Sequence, residues 1–352
     1  VAIDEAKLNE FMGRAVGELG VAFSLALVLI GDELGLYRAM SGAGPLTSSD
    51  VAQRTGTHER LVREWLANQA AGGYVEYDPA TGRFTLPDEH AVVLGDQAGP
   101  VDLPGAFQIA ASLVVDRPRL VEAFRTGIGL DWGNHDDQLF WGTDRFFGAA
   151  YRASLVSSWI PALDDVERKL RAGARVADVG CGFGASTITM AEAYAASAFV
   201  GYDADDRSIE VARKKAADAG VADRVTFEVA RASDYPESGF DLVAVFDALH
   251  DMGDPVGAAA HILRSLDVEG TLMLVEPFAG DRLEENLNPV GRLFYAGSTM
   301  ICVPGSLAQE GTAALGNQAG EKRLRDVVTA AGFTRFRRAA ATPFNLILEA
   351  RP

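Results

Sequence analysis

From residue 171 onward, short apolar runs alternate with stretches whose apolar positions recur every three or four residues. This pattern predicts strands alternating with helices, and so a mostly parallel sheet. Strands are expected at Arg175–Val179, Ala198–Tyr202, Val225–Val229, Asp241–Phe246 and Thr271–Glu276. Helices fit at about 185–195, 208–219, 255–266 and 321–331. In the last of these Leu324, Val327, Val328 and Ala331 form one stripe, and Gly332 stops it. Two further runs, Thr334–Ala340 and Phe344–Glu349, flank Thr342-Pro343 and predict an antiparallel hairpin. The expected fold class is therefore α/β, a mostly parallel seven-stranded sheet with an antiparallel terminal hairpin. Residues 279–320 read as a mostly polar insertion after a strand's carboxyl end, where ligands bind in such sheets.

The first hundred residues follow a different period. Residues 4–39 predict helix, with a break near Gly31. Thr47 or Ser48 caps a short helix ending at Gly56, and Thr57 caps another running to about Ala71, with Leu61, Trp65 and Leu66 on one face. Tyr74–Tyr77 and Arg83–Leu86 predict a hairpin. Two helices, a turn and a hairpin make a winged helix-turn-helix pattern. Between the two regions, helices are expected over 104–115 and 119–125. A loop, Gly127 to His135, then carries Trp132, followed by the aromatic pairs Phe140-Trp141 and Phe146-Phe147. This segment either roofs a pocket or packs between domains. The expected division is thus 1–100, a helical winged-helix domain; 101–170, a linker and lid; and 171–352, the sheet domain.

Composition narrows the partners. The chain has 352 residues, 48% hydrophobic and 23% charged, with a formal net charge of −17. Affinity for nucleic acid rests on Lys and Arg at phosphates, so this balance opposes a polyanionic partner. The expected recognition helix offsets Arg60 and Arg63 with Glu59 and Glu64. Two cysteines, Cys181 and Cys302, and five histidines offer no metal-ligand spacing and no disulfide framework. The apolar run Val21 to Ile30 is too short to span a bilayer and no basic segment precedes it, so a cytoplasmic protein without a membrane partner is expected.

The chemistry gathers at Val176-Ala-Asp-Val-Gly180-Cys-Gly182-Phe-Gly184-Ala-Ser-Thr187, a strand, a glycine turn and a helix start. The glycines let backbone approach a ligand, and the helix points free N–H groups at it. Gly180-x-Gly182-x-x-Ala185 with Asp203 also fits a dinucleotide fingerprint. A pyrophosphate, however, disfavours an adjacent acid, whereas here Asp178 enters the loop and Asp203 and Asp247 line the same crevice. Three carboxylates suit an ammonium, a sulfonium and ribose hydroxyls, which describes S-adenosyl-L-methionine.

VADVGCGFGAST, FVGYDAD, FDLVAVFDALHDMGDP and GTLMLVEP, in that order, resemble class I S-adenosylmethionine-dependent methyltransferases. With the winged helix in front, the chain most resembles small-molecule O-methyltransferases and bacterial methyltransferases of the same two-domain build. The resemblance implies a Rossmann-like sheet, and an N-terminal domain that forms a homodimer and helps close the substrate pocket. It implies that Gly180, Cys181, Gly182 and Gly184 lie against the methionine part, with Asp178 balancing its ammonium. Asp203 would take the ribose hydroxyls and Ala204 the adenine edge, while Ala232 and Ser233 flank adenine. The family often has an acid where this chain has Arg231. Phe246 and Asp247 would close the cofactor site.

His250 matches the histidine that such enzymes use as general base, and Met252 stands where they usually have Trp. Glu276 is the candidate to orient it. The competing reading is a structural histidine at a strand end, with transfer driven by positioning. Trp132, Phe140, Trp141, Phe147, Phe294 and Tyr295 are candidates for the pocket of a small-molecule acceptor, with a hydroxyl as the expected target. Two other functions stay open: a cofactor-sensing DNA-binding regulator and an NAD-dependent oxidoreductase.

Overall fold

The computed structural model describes residues 3–95, 99–236, 238–311 and 313–352. Residues 96–98, within the expected domain 1–100, lie outside the described residues. The chain forms two compact units, one of residues 1–111 with 141–149, the other of 112–140 with 150–352. The segment expected as linker and lid is therefore divided between them.

In the first unit, a 29-residue helix spans Glu5–Glu33. The helical path breaks at Leu34 and Gly35, not at Gly31, because Gly35 is left-handed (φ 68°) and starts the helix Leu36–Met40. Gly31 serves packing instead. A Cβ there would lie 2.6 Å from the Trp65 ring and 2.8 Å from Tyr37. Trp65 is fixed by its Nε1–H donating to the Leu27 carbonyl at 2.8 Å.

The two short helices, Ser48–Thr55 and Glu59–Ala71, form as expected; Thr47 and Asp50 make a reciprocal capping box, though His58 rather than Thr57 precedes the second. Its buried face is Val62, Trp65, Leu66 and Gln69, while Leu61 is exposed. That spacing of three, four and seven from Val62 is the true helical stripe. Arg60 pairs with Glu64 and Arg63 with Glu59 along the same helix. Strands β1 (Glu76–Asp78) and β2 (Arg83–Thr85) complete the wing.

The helices expected at 104–115 and 119–125 are one, Leu103–Thr126, which contains Pro118. Proline removes one N–H from a helix but does not forbid its continuation when tertiary packing holds both halves. A further helix spans Asp137–Ser154. Gly105 and Gly142 let these two approach: Cβ atoms would meet Arg145 Cβ at 2.9 Å and Ile109 N at 2.8 Å. Arg145 grips Asp102 with two hydrogen bonds and reaches Asp32 at 2.8 Å.

In the second unit all seven expected strands form: β3 (Arg175–Val179), β4 (Ala198–Asp203), β5 (Val225–Val229), β6 (Phe240–Phe246), β7 (Leu266–Pro277), β8 (Arg335–Ala341) and β9 (Asn345–Arg351). Their order is β5-β4-β3-β6-β7-β9-β8. The first five run parallel, and β9 is antiparallel to both β7 and β8. The central strands are apolar at nearly every position because helices cover both faces. The order reverses between β3 and β6, so the crevice opens at their carboxyl ends.

Residues 279–320 are more ordered than their polarity implies. They hold the helix Pro289–Gly297, a π-helical turn Ser298–Cys302 and the helix Val303–Leu307.

Gly31→Ala tests the packing in the first unit. An ordinary helical Gly→Ala exchange stabilises by about 1 kcal/mol, whereas overpacking a fitted core costs about 1–3 kcal/mol. The clash with Trp65 should win, and the midpoint of denaturant unfolding should fall. A raised midpoint would show that Trp65 yields at little cost.

Candidate active site

The glycine turn follows β3 at the reversal point. Gly180, Gly182 and Gly184 all have positive φ (78°, 51° and 79°), and Gly184 precedes the helix Ala185–Ala193. The Gly180 and Cys181 amides both donate to the Tyr202 carbonyl, at 2.8 and 3.0 Å, which pins the loop against the end of β4. A Cβ on Gly180 would meet Ala248 at 2.8 Å, whereas one on Gly182 would enter open space. Backbone at Gly182 is thus exposed to whatever occupies the crevice. Cys181 is buried, and burial with the nearby Asp203 and Asp178 pushes its thiol well above its ordinary value.

Asp178 is fully buried on β3. Its Oδ2 accepts from Ser186 and Thr187 hydroxyls, each at 2.6 Å. Its Oδ1 is buried without a hydrogen-bond partner. Burial raises its pKa to about 6, against two hydroxyl hydrogen bonds that lower it. A buried carboxylate with one oxygen unmatched fits a cationic ligand group, such as an ammonium.

Asp203, at the end of β4, accepts from the Gly182 amide at 2.8 Å and the Asp205 amide at 2.9 Å. Burial raises it too. Ala204 is exposed beside it, Ala232 is half-buried and Ser233 exposed on the turn after β5, and the Arg231 amide donates to Asp234.

Phe246 ends β6, buried against Tyr151. Asp247 adopts the left-handed region (φ 49°), uncommon outside glycine. Tyr151 Oη lies 3.2 Å from its Oδ2, and Asn345 donates to Oδ1 at 3.0 Å. Burial, then repulsion from Glu276, raises Asp247 to about 8.

The next turn places His250 in a buried pocket of acids. Its Nδ1 contacts Glu276 Oε2, and Glu276 Oε1 accepts from the Leu249 amide at 3.1 Å. The side chain sequence spacing named as its candidate partner does touch it. Two neighbours were not foreseen. Asp251 Oδ1, buried and without an aligned hydrogen bond, lies 3.1 Å from Nε2. Cys302, on the π-helical turn, brings its sulfur into a group in which the ring nitrogen, carboxylate oxygen and sulfur lie within 4.8 Å of one another. Spacing in the chain gave no sign of it; only the insertion's fold brings Cys302 there. Burial pulls the imidazole down, but Asp251 and Glu276 outweigh it and raise His250 well above its ordinary value. Burial and Asp251 push the Cys302 thiol up to about 12.

The aromatic candidates divide. Trp132 packs on Phe140 (5.4 Å), and Phe140 stacks on Phe183 of the glycine turn (6.2 Å). Phe294 is buried and Tyr295 half-buried on the insertion's first helix. Trp141, largely exposed, and Phe147, half-buried against Phe146, belong to the first unit.

Residues 170–331 match the family described as a methyltransferase domain, and residues 22–96 match the Rv2258c-like winged helix-turn-helix domain. The chain is 35% identical over 131 residues to the 27-O-demethylrifamycin SV methyltransferase of Amycolatopsis mediterranei, covering 35% of this chain and 48% of that protein. It spans about half the length of the curated relatives it matches. A putative O-methyltransferase from Nostoc punctiforme shares the fold with a TM-score of 0.72 at 18% identity, covering 99% of both chains. Human N-acetylserotonin methyltransferase, solved in complex with S-adenosylmethionine, superposes with a TM-score of 0.65 at 16% identity, covering 99% of this chain and 98% of that one. The chain therefore carries a methyltransferase domain over residues 170–331, behind an Rv2258c-like winged helix-turn-helix domain over residues 22–96.

Proposed function

We propose that this protein transfers a methyl group from S-adenosylmethionine to a hydroxyl of a small, partly apolar molecule, with His250 as general base. The observation that carries this reading is the buried contact of His250 with Glu276 at the carboxyl ends of β6 and β7. The O-methyltransferase named for the rifamycin relative supports a hydroxyl target.

S-adenosylmethionine supplies an electrophilic methyl group on a sulfonium sulfur. The residues of this chain do the rest. Asp178 Oδ1 and the glycine-turn backbone hold the amino-acid tail, Asp203 holds the ribose, and Asp247 keeps a second carboxyl in the crevice. Glu276 fixes the imidazole through Nδ1, leaving Nε2 to take the acceptor's proton as its oxygen attacks. Asp251 beside Nε2 stabilises the imidazolium that results. The winged helix serves this enzyme rather than DNA: the two exposed arginines of the helix Glu59–Ala71 are paired with glutamates of that helix, which leaves it little charge for phosphates.

We further infer a homodimer built on the helix Glu5–Glu33. Leu8, Phe11, Met12, Val16, Leu19, Val21, Phe23 and Ile30 are exposed along it. An 18-residue window of this helix has mean hydropathy 1.8, enough by length and composition to cross a membrane, where the shorter run Val21 to Ile30 was not. Arg14 and Glu18 interrupt the apolar stretch, and each would cost about 2–3 kcal/mol in a bilayer core. A second copy is the occupant that leaves both in water. Leu19→Glu with Phe23→Glu should halve the mass seen by light scattering; an unchanged mass removes this interface.

Binding should depend on pH through Asp178. Its carboxyl is raised to about 6 without ligand, so below that pH a proton competes with the ligand's ammonium. The Kd for S-adenosylhomocysteine, by titration calorimetry, should weaken by up to about tenfold per pH unit below 6. In Asp178→Asn it should be weaker and nearly flat. Binding of NAD without S-adenosylhomocysteine would overturn the cofactor assignment.

His250→Ala should keep cofactor affinity and lose about 10²–10⁴-fold in turnover with an accepted phenol or alcohol. Because the imidazole is raised, its neutral, proton-accepting form grows as pH rises above its ordinary range. Turnover should therefore climb with pH above the ordinary imidazole range, and Asp251→Asn should shift that climb to lower pH. A flat profile with full activity in His250→Ala would remove the base role and leave positioning.

A further inference from the structure

Methyl transfer gives work to His250, Glu276 and Asp251 but none to Cys302, whose sulfur is buried beside them. Two turns bring these side chains together. The 3₁₀ turn Leu249–Asp251 follows β6 and sets Asp251 Oδ1 3.1 Å from His250 Nε2. The π-helical turn Ser298–Cys302 brings the sulfur, so that a ring nitrogen, a carboxylate oxygen and a thiol lie within 4.8 Å of one another. Glu276 occupies Nδ1, which leaves Nε2 as the nitrogen facing Asp251.

The two turns are locked together by hydrogen bonds that use none of these three side chains. Ser306 Oγ donates to the Met252 carbonyl at 3.1 Å, and Gln309 Nε2 to the Asp251 carbonyl at 2.9 Å. The Gly253 amide donates to Gln309 Oε1 at 3.0 Å, and its carbonyl accepts from the Ala313 amide at 2.8 Å. Gly253 has no room for a side chain there, since a Cβ would lie 2.3 Å from the Glu310 carbonyl oxygen. Cys302 is therefore held opposite His250 and Asp251 by the frame around them.

Imidazole, carboxylate and thiolate together are zinc ligands, whereas magnesium and calcium select oxygen alone. Zinc bonds of about 2.0–2.3 Å set the ligand atoms of one ion about 3–4 Å apart, and these three atoms fall in that range of reach. A neutral imidazole, one carboxylate and one thiolate cancel the charge of a dication, as a buried site requires. Glu276 on Nδ1 is the carboxylate that commonly orients a metal-bound histidine. Asp251 Oδ1 is buried with no aligned hydrogen bond, while its side chain is 27% exposed and gives an ion a way in.

We propose that His250 Nε2, Asp251 Oδ1 and Cys302 Sγ bind a zinc ion that occupies the base nitrogen and so inhibits the enzyme. The thiol proton leaves to solvent as the sulfur–zinc bond forms, and no oxidation state changes. Three protein ligands leave a fourth position for water. Nε2 takes either the ion or the acceptor's proton, so inhibition is reversible. Binding of the ion stands apart from the methyltransferase reading above, and the inhibition rests on it.

Cobalt(II) reports such a site by its absorption. The full chain, stripped with a chelator, should take up one equivalent of cobalt with a thiolate-to-cobalt charge-transfer band, which zinc bleaches and magnesium does not. Cys302→Ser should lose that band. Glu276→Gln, which reaches the ion only through the imidazole, should weaken cobalt binding about 10- to 100-fold, and Asp251→Ala, which removes a ligand, by more. Should Cys302→Ser not fold, these two variants carry the comparison. Wild-type turnover should fall with zinc and return with chelator, and in Cys302→Ser the ratio of turnover with and without zinc should approach one. Wild-type protein without the band, or a band that persists in Cys302→Ser, overturns the site. A band without inhibition by zinc overturns the inhibitory role. Cobalt binding by a protein that does not bind S-adenosylhomocysteine upholds the site and overturns the methyltransferase reading instead.

Discussion

The second unit depends on burying carboxylates at the carboxyl edge of a parallel sheet. Asp178, Asp203, Asp247 and Glu276 end four adjacent strands, β3, β4, β6 and β7, where side chains from neighbouring strands converge. Such a cluster is unfavourable in a protein core unless hydrogen bonds or counter-charges answer it. Each acid is answered differently. Asp203 is answered by the Gly182 and Asp205 backbone amides, Asp178 by two hydroxyls on one oxygen only, Glu276 by His250 and an amide, and Asp247 by Asn345 with Tyr151 beside it. The raised carboxyls of Asp178 and Asp247 show where the compensation falls short. Residual mismatch of this kind makes a site receptive to a cation.

The glycines follow from the same constraint. A turn that must bring amides to the Tyr202 carbonyl and to Asp203 within a few residues needs backbone in the left-handed region, which glycine adopts at least cost. Asp247 accepts that conformation without being glycine, and its two side-chain neighbours hold it there. The loop is therefore an anchor for acids as much as a surface for ligand. That explains why its glycine pattern alone did not separate a dinucleotide from an adenosyl cofactor, while the acids beside it did.

What was legible in the chain was whatever local periodicity determines. The edges of β3 and β5 were read to the residue, β3 from a short run buried at four of five positions and β5, at the sheet's edge, from alternation of apolar and polar residues. The winged-helix order was legible from caps and turns. Where local signals admit two outcomes, tertiary contact decided. Gly31 looked like a helix break and is a contact point for Trp65; the helices expected over 104–115 and 119–125 are one, with Pro118 inside it. Leu61 and Val62 differ by one position on a helix, and only the packing of Trp65 tells which turns inward. The insertion's helices were missed because Pro289, Gly291, Gly297, Pro304 and Gly305 punctuate the stretch like a loop.

The site itself was half legible for the same reason. Residues at strand ends can be placed once the strands are known, and those include the acids, the glycines and His250. Residues that complete the site from outside the sheet cannot. Cys302 meets His250 from a π-helical turn, a geometry that commonly marks functional positions but has no sequence period. His135 and Asp116 are 19 residues apart, on a loop and inside a long helix, and become a dyad only when the segment Gly127 to His135 folds back on that helix. The sheet supplies acids because its strand ends are fixed points. The segment Gly127 to His135 lies across two sides of the sheet's carboxyl edge, its Leu130 amide on the Pro304 carbonyl just past Cys302 and its Gly133 carbonyl accepting from Arg207, four residues past Asp203. Its place is set by contacts far apart in the chain, so no local period announces it, whereas a strand end is fixed as soon as the strand is read.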